Sequence, residues 1–320
     1  MHDFVIKLRL IYFPFLILQI VVILFCSALN YFIFFRTGEF ISNQDIPELI
    51  IPAIFEIIAV YVWLRPRVII IRNLESNSEK NFGFLLCCSL FMVLPNAVFQ
   101  KYLVTVTGKS THLKTVYDIG KSTKAKYYTF DNYYINKSYL HSNKAGEINL
   151  RHISGKQGQN LTFYTYFAIP IQASSQDSSL IYTTWLGVKY SKTISNRLSN
   201  SLREIKYQEY LENTRVEINS TDFLKITYFE RVNNRKNLEE FRLALTGCTK
   251  YLEGENNIIL VGQNIPFSHR TYETQKDFLV SFVSGSLLWL VLVFFMKIKQ
   301  PYEPLLHKYV KKKRFADRSL

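Results

Sequence analysis

The chain alternates between two textures. Long uncharged apolar runs occupy residues 11–35, 82–99 and 278–296, and the stretch between the last two is polar. A helix rising 1.5 Å per residue needs about 20 residues to cross a hydrocarbon core, so each run predicts a membrane-spanning helix. A fourth run, residues 49–64, is shorter and contains Glu56. Its ten Leu, Ile, Phe and Val residues each favour insertion by about 0.3–0.6 kcal/mol, against a penalty of about 2.5–3.5 kcal/mol for an acidic residue near the centre. The balance favours a span. Tyr61, Trp63, Arg65 and Arg67 at its far end are the aromatic and basic residues expected where a helix leaves the bilayer.

Residues 100–277 carry a different pattern, short alternating stretches rich in Tyr, Thr, Ser and Asn. Strands are predicted at 126–130, 133–140, 147–152, 161–171, 180–190 and 257–262, with turns at 131–132, 144–146 and 155–158 and a loop at 174–179. In 161–171 both faces are partly apolar, which predicts a sheet covered on one side. Ile194, Leu198, Leu202 and Ile205 form the stripe of an amphipathic helix over about 193–213. A shorter helix is expected after Asn237 as its N-cap, with Leu238, Phe241 and Leu245 on one face and Gly247 as its stop. The fold class is therefore a four-helix membrane protein with an inserted mixed α+β domain. The expected divisions are 1–99 for the first three spans, 100–277 for the domain, 278–296 for the fourth span and 297–320 for a basic tail.

Composition looks ordinary until the charges are placed. The formal net charge is +14, a value that raises the prospect of a nucleic-acid partner, but the excess flanks the spans. Lys7 and Arg9 precede the first, and Arg65, Arg67, Arg72 and Lys80 lie between the second and third. The tail holds Lys311, Lys312, Lys313 and Arg314 among other cations, whereas the first loop has Arg36 against Glu39, Asp45 and Glu48. Under the positive-inside bias this predicts an inner-membrane protein with both termini cytoplasmic and the domain extracytoplasmic. Arg65, Arg67 and the tail cations are then topology determinants and contacts to anionic lipid, with no nucleic-acid partner. The first run is too long for a signal-peptide core, no small-x-small cleavage site follows it, and Cys26 follows the bulky Phe25, so an uncleaved span is expected.

The candidate chemistry is sparse. Cys26, Cys87 and Cys88 fall inside spans and leave Cys248 alone in the domain, so there is no disulfide framework. Gly-Lys-Ser-Thr occurs at 108–111 and 120–123, but a phosphate loop needs a further glycine five residues earlier, where Leu103 and Thr115 stand. His112, His141, His152 and His269 lack metal-ligand spacing. Ser284-Gly285 lies in the fourth span; no span contains the histidine a serine nucleophile would need, which leaves Ser284, Gly285 and Ser286 as helix-packing residues. Glu56 is the one candidate intramembrane functional residue, because an acidic group in a span marks a pathway or a partner. No cofactor or metal ligands are expected. Asn136, Asn160 and Asn219 begin glycosylation triplets that matter only in a eukaryotic secretory route.

Several strings carry a family resemblance: Trp63-Leu64-Arg65-Pro66-Arg67, Gln100-Lys101-Tyr102-Leu103 with Thr107-Gly108-Lys109, Lys126-Tyr127-Tyr128-Thr129, and Trp185-Leu186-Gly187-Val188-Lys189-Tyr190. Over roughly residues 64–297 the chain resembles the N-terminal, non-catalytic region of rhomboid-family membrane proteins of Bacteroidetes-type bacteria. The family's nucleophile motif, Gly-x-Ser-Gly, is not matched, since Phe282 stands two residues before Ser284. A protease core would need further spans, whereas about 24 residues follow the fourth. The resemblance therefore implies no catalytic residue here. The expected function is non-catalytic binding of a protein, peptide or envelope component, with a protein partner in the membrane or periplasm, as an accessory to a rhomboid-like system. Two other classes stay open: an enzyme, as part of a membrane protease assembly or with a hydrolase site built from distant residues, and a transporter or channel subunit using Glu56. Epitope tags at both termini should be shielded in sealed cells while residues 100–277 are cut by external protease; shielding of that middle segment would reverse the topology.

Overall fold

The computed structural model describes residues 2–32, 46–72, 79–141, 145–154, 158–177, 182–246, 248 and 257–296. The tail cations Lys311, Lys312, Lys313 and Arg314, the loop residues Arg36, Glu39 and Asp45, and Gly247 lie outside them, as do parts of the predicted turns at 144–146 and 155–158 and of the 174–179 loop. The chain divides into two compact units, one built of long helices and the other of residues Gly108–Arg270.

Four helices are long and apolar enough to cross a membrane. They are α1 (Phe4–Asn30), α2 (Glu48–Ile69), α3 (Glu79–Thr107) and, after two helices of the domain, α6 (Tyr272–Phe295). Each of three prolines in α1 and α2 is preceded by a π-helical turn: Leu8–Tyr12 before Pro14, Ile46–Ile50 before Pro52 and Val60–Leu64 before Pro66. A proline cannot bond the carbonyl four residues back and its ring collides with it. The wider turn lets the preceding residue reach one carbonyl further, as Phe13 N–H does to Leu8 and Arg65 N–H to Val60. Pro95 sits inside α3, where the carbonyl freed by the missing bond belongs to Phe91. Gly285 of α6 packs against that carbonyl: a Cβ there would stand 3.0 Å from the oxygen. The absent side chain lets the two backbones approach. Ser286 is buried beside it, but Ser284 faces outward and bonds the Ser281 carbonyl, so of the three expected packing residues only two are in the interface.

One tier of this unit is apolar and draws on all four helices. Ile11 and Phe15 meet Val60, Leu64 and Val68, Cys88 and Met92, and Trp289, Val293 and Met296. Trp289 stacks on Phe15 at 5.2 Å. Lys7 closes the tier by donating to the Phe294 carbonyl at 2.9 Å, where a cation satisfies an otherwise open carbonyl at a helix C-terminus. The start of α1 and the end of α6 therefore share one end of the bundle.

The second unit is a mixed, half-barrel sheet in the order β1-β2-β7-β8-β6-β5-β3, with β4 also on β5. The strands are β1 (Ser110–Leu113), β2 (Tyr127–Phe130), β3 (Tyr134–Ile135), β4 (Gly146–Ser154), β5 (Asn160–Gln172), β6 (Thr184–Ser195), β7 (Tyr228–Arg231) and β8 (Ile258–Gln263). Pairs β1/β2 and β6/β8 are parallel and the rest antiparallel. The sheet is covered on both faces, which corrects the one-sided expectation. Phe163, Phe167, Ile169 and Ile171 of β5 face α4 (Asn200–Ser220) and the loops around Phe223, while Tyr166 and Ala168 face α5 (Arg235–Leu245) through Phe241, Ala244 and Leu245. Fully burying a side chain the size of Phe167 or Phe241 stabilises by about 1.5–3 kcal/mol.

The predicted stripe on the first domain helix is also corrected. The alternation of β6 continues to Ser195, so Ile194 is a strand residue, and the helix starts after Ser199, whose Oγ caps the Leu202 N–H. Ile205 is 62% exposed, and the buried face is Tyr210, Thr214 and Ile218. The second domain helix is capped by Asn234 rather than Asn237. Predicted strand 133–140 is only β3 followed by a 3-10 turn at Lys137–His141. Where hydropathy ends the third span at 99, the helix runs on to Thr107. At Gly146 a Cβ would fall on the Ala244 carbonyl of α5. Gly146→Ala should therefore push β4 from α5 and lower domain stability by about 1–3 kcal/mol, read as a shift of the unfolding midpoint in denaturant.

Candidate functional site

The site that the sequence singled out lies in the helical unit, where Glu56 is fully buried and belongs to a chain of polar side chains from α1, α2 and α3. Asn96 Nδ2 donates to Glu56 Oε1 at 3.0 Å. Gln100 Nε2 donates to Asn96 Oδ1 at 2.9 Å and to Ser27 Oγ at 3.2 Å, and Gln100 Oε1 accepts from Asn30 Nδ2 at 2.8 Å. Ser27 in turn donates to the Ile23 carbonyl at 2.7 Å, so the series ends on backbone.

The helical period explains the assembly. Asn96 and Gln100 stand four residues apart on one face of α3, directed at Glu56 on α2 and at Ser27 and Asn30 on α1. Among the described residues Glu56 Oε2 has no hydrogen-bond partner, and both polar atoms of buried Gln19 are likewise unpaired. No cation pairs with Glu56 among them. Leaving a buried acceptor unmet costs about 1–3 kcal/mol, so Oε2 has acceptor capacity to spare.

The other candidates disperse. Arg65 and Arg67 follow the second π turn of α2 and lie over Tyr61 at 4.4 Å and Trp63 at 5.0 Å. They form an aromatic-cation collar away from Glu56, suited to an interface. The two Gly-Lys-Ser-Thr copies touch, with Lys109 Nζ donating to Thr123 Oγ1 at 2.9 Å. The first copy runs directly into β1 and the second follows a 3-10 turn, so neither has the strand-to-helix context that holds phosphate. His112 pairs with Asp131 at 2.9 Å. Among the described residues no three His, Cys, Asp or Glu side chains converge.

Two features of the domain depend on tertiary pairing, although a strand at 147–152 is itself expected from the sequence. On β6, Lys189 lies 4.9 Å over Tyr164 and 5.0 Å over Tyr166, and it donates to Asn237 at 3.1 Å. Burial, opposed by Glu240, holds its ammonium below the usual lysine range, and burial beside Glu240 pushes the Tyr166 phenol up. The second feature is β4, which runs along β5 from Gly146↔Ala168 to Ser154↔Asn160. Among the described residues no strand pairs with its other edge.

Glu56 was legible because it is a charge in an apolar run. Its partners Asn30, Asn96, Gln100 and Ser27 were visible only as uncharged polar residues, and their convergence depends on helix rotation. Asn96→Leu should weaken the bundle by about 1–2 kcal/mol, within the range for lost interhelical and buried hydrogen bonds. A Glu56→Leu, Asn96→Leu double variant should lose less than the two singles combined, measured by unfolding in mixed micelles. Comparison with family models, curated proteins and solved structures found no match.

Proposed function

We propose that the chain is a non-catalytic, multi-pass membrane protein that presents its α+β domain on the extracytoplasmic side and captures an extended protein segment there on the free edge of β4. The observation that carries this reading is a nine-residue strand that, among the described residues, is bonded on one side only. Free edges of this kind are templates for strand addition, in which main-chain bonds give affinity and alternate side chains give specificity.

The chemistry of the edge supports the reading. The charges that would blunt it are engaged on one face of the strand: Arg151 meets Glu204 at 3.3 Å and lies 3.9 Å over Tyr207, and Glu147 is 3.9 Å from Arg215. Ile153, 58% exposed, and His152 remain open toward the strand end. The flanking charges of the spans place the domain outside in this proposal, with both termini cytoplasmic. The resemblance to the front region of rhomboid-family proteins makes a membrane-embedded protease core, or a substrate passing to one, the partner class.

A photocrosslinking residue at Ile153 should yield adducts with a second protein in intact cells, while one at exposed Val216 on α4 should not. Equal labelling from both positions, or none from Ile153, would overturn strand capture.

A further inference from the structure

A second surface of the domain has the makeup of a lipid contact. The loop entering β7 carries Leu224, 79% exposed, and the loop leaving β8 carries Ile265, 43% exposed. These are apolar side chains at the tips of two loops that are otherwise tightly held. Thr227 N–H and Oγ1 donate to the Gln263 carbonyl at 2.8 and 2.9 Å, and Oγ1 also reaches the Ile265 carbonyl at 2.6 Å. Tyr133 Oη donates to the carbonyls of Phe223 and Ile226 at 3.0 and 3.2 Å. Ile226 fills the space that a side chain at Gly262 would take. The loops are thus bolted to each other and to the sheet, yet Leu224 and Ile265 are left outside the core.

What lies beside them includes two cations, Lys225 and Arg270, and is covalently close to a membrane helix. Arg270 stacks 4.0 Å over Phe267 and donates to its carbonyl at 3.0 Å, and Lys225 stands at 3.8 Å from Asp222, which caps the Leu224 turn. Ile265 precedes α6 by seven residues, part of which is the turn Phe267–His269. The first turns of α6 carry Glu273, Lys276 and Asp277, and the uncharged run begins at Phe278. At 1.5 Å per residue those turns extend about 9 Å, comparable to one headgroup layer. The uncharged run of α6 therefore begins thirteen residues after Ile265, with the turn Phe267–His269 and the first turns of α6 between them.

We infer that Leu224 and Ile265 form a two-loop membrane contact that dips into the headgroup layer of the leaflet entered by α6, with Arg270 and Lys225 meeting lipid phosphates. An apolar tip flanked by cations is the composition by which surface elements lie in the interface without spanning it. The inference stands apart from strand capture by β4, which uses other residues.

The test uses the full chain in nanodiscs of phosphatidylethanolamine and phosphatidylglycerol. Leu224→Trp, and separately Ile265→Trp, should add a fluorescence component, over that of the parent chain, that bromine-labelled lipid quenches and aqueous acrylamide does not. Val216→Trp should show the reverse. If the Leu224 and Ile265 probes behave like the Val216 probe, the inference is overturned. Because neither side chain is in the core, the pair Leu224→Glu and Ile265→Glu should leave the domain folded and raise deuterium uptake of residues 263–271 several-fold in nanodiscs; unchanged uptake would overturn the inference equally.

Discussion

In hydrocarbon a polar group has no water to fall back on, and the helical unit is arranged around that constraint. Each backbone carbonyl, carboxamide and carboxylate inside the bundle needs a partner within the protein or costs about 1–3 kcal/mol. The prolines test it most directly, since each removes one backbone bond. In α1 and α2 a π turn comes before each proline, while in α3 the carbonyl opposite Pro95 faces the close-packed bare backbone at Gly285. The series Glu56–Asn96–Gln100–Asn30 is the side-chain form of the same solution. It gives three helices a shared set of bonds that none could make alone.

The constraint also sorts the bundle along its length. The apolar tier, with Trp289 at its centre, takes its strength from packing and uses all four helices. The polar tier takes directionality from hydrogen bonds and uses α1, α2 and α3. Lipid tails compete poorly with either, but for different reasons: they cannot reproduce the ring stacking of Phe15 on Trp289, and they offer nothing to a carboxylate. Packing in a membrane is favoured by close fit, and polar pairs add specificity on top of it.

Much of this was written in the chain, and the misses have physical causes. Hydropathy located four spans, including the one interrupted by Glu56, because about 20 apolar residues in a row have few other uses. Within the domain the alternation of 161–171 marked β5, but residues 188–195 fit two periods at once. Val188, Tyr190, Lys192 and Ile194 alternate as a strand, while Ile194, Leu198, Leu202 and Ile205 repeat as a helix. Pairing with β5 decided for the strand, a tertiary outcome that a local pattern cannot contain. β1 and β7 escaped because Ser-Thr-His-Leu and Tyr-Phe-Glu-Arg carry no apolar alternation. At the candidate site the charge was legible, whereas its amide partners depended on how the helices turn toward one another.

Charge and geometry then bear on topology in different ways. Lys7 bonded to the Phe294 carbonyl, with Phe4 beside Phe294 at 5.5 Å, brings the start of α1 and the end of α6 to one end of the bundle. That arrangement requires an even number of crossings between them, plus their own, and the two intervening spans supply it. It is indifferent to which compartment that end faces. The cations are not: Lys7 and Arg9 precede α1, the tail cations follow α6, and Arg65 and Arg67 close α2 at the same end as Leu64 and Val68 of the apolar tier. Because Lys7, Arg9, Arg65 and Arg67 gather at one end and the tail cations follow α6 in sequence, a single bias acts on the crossings in the same sense. A reversal of the proposed orientation would have to move the whole set together.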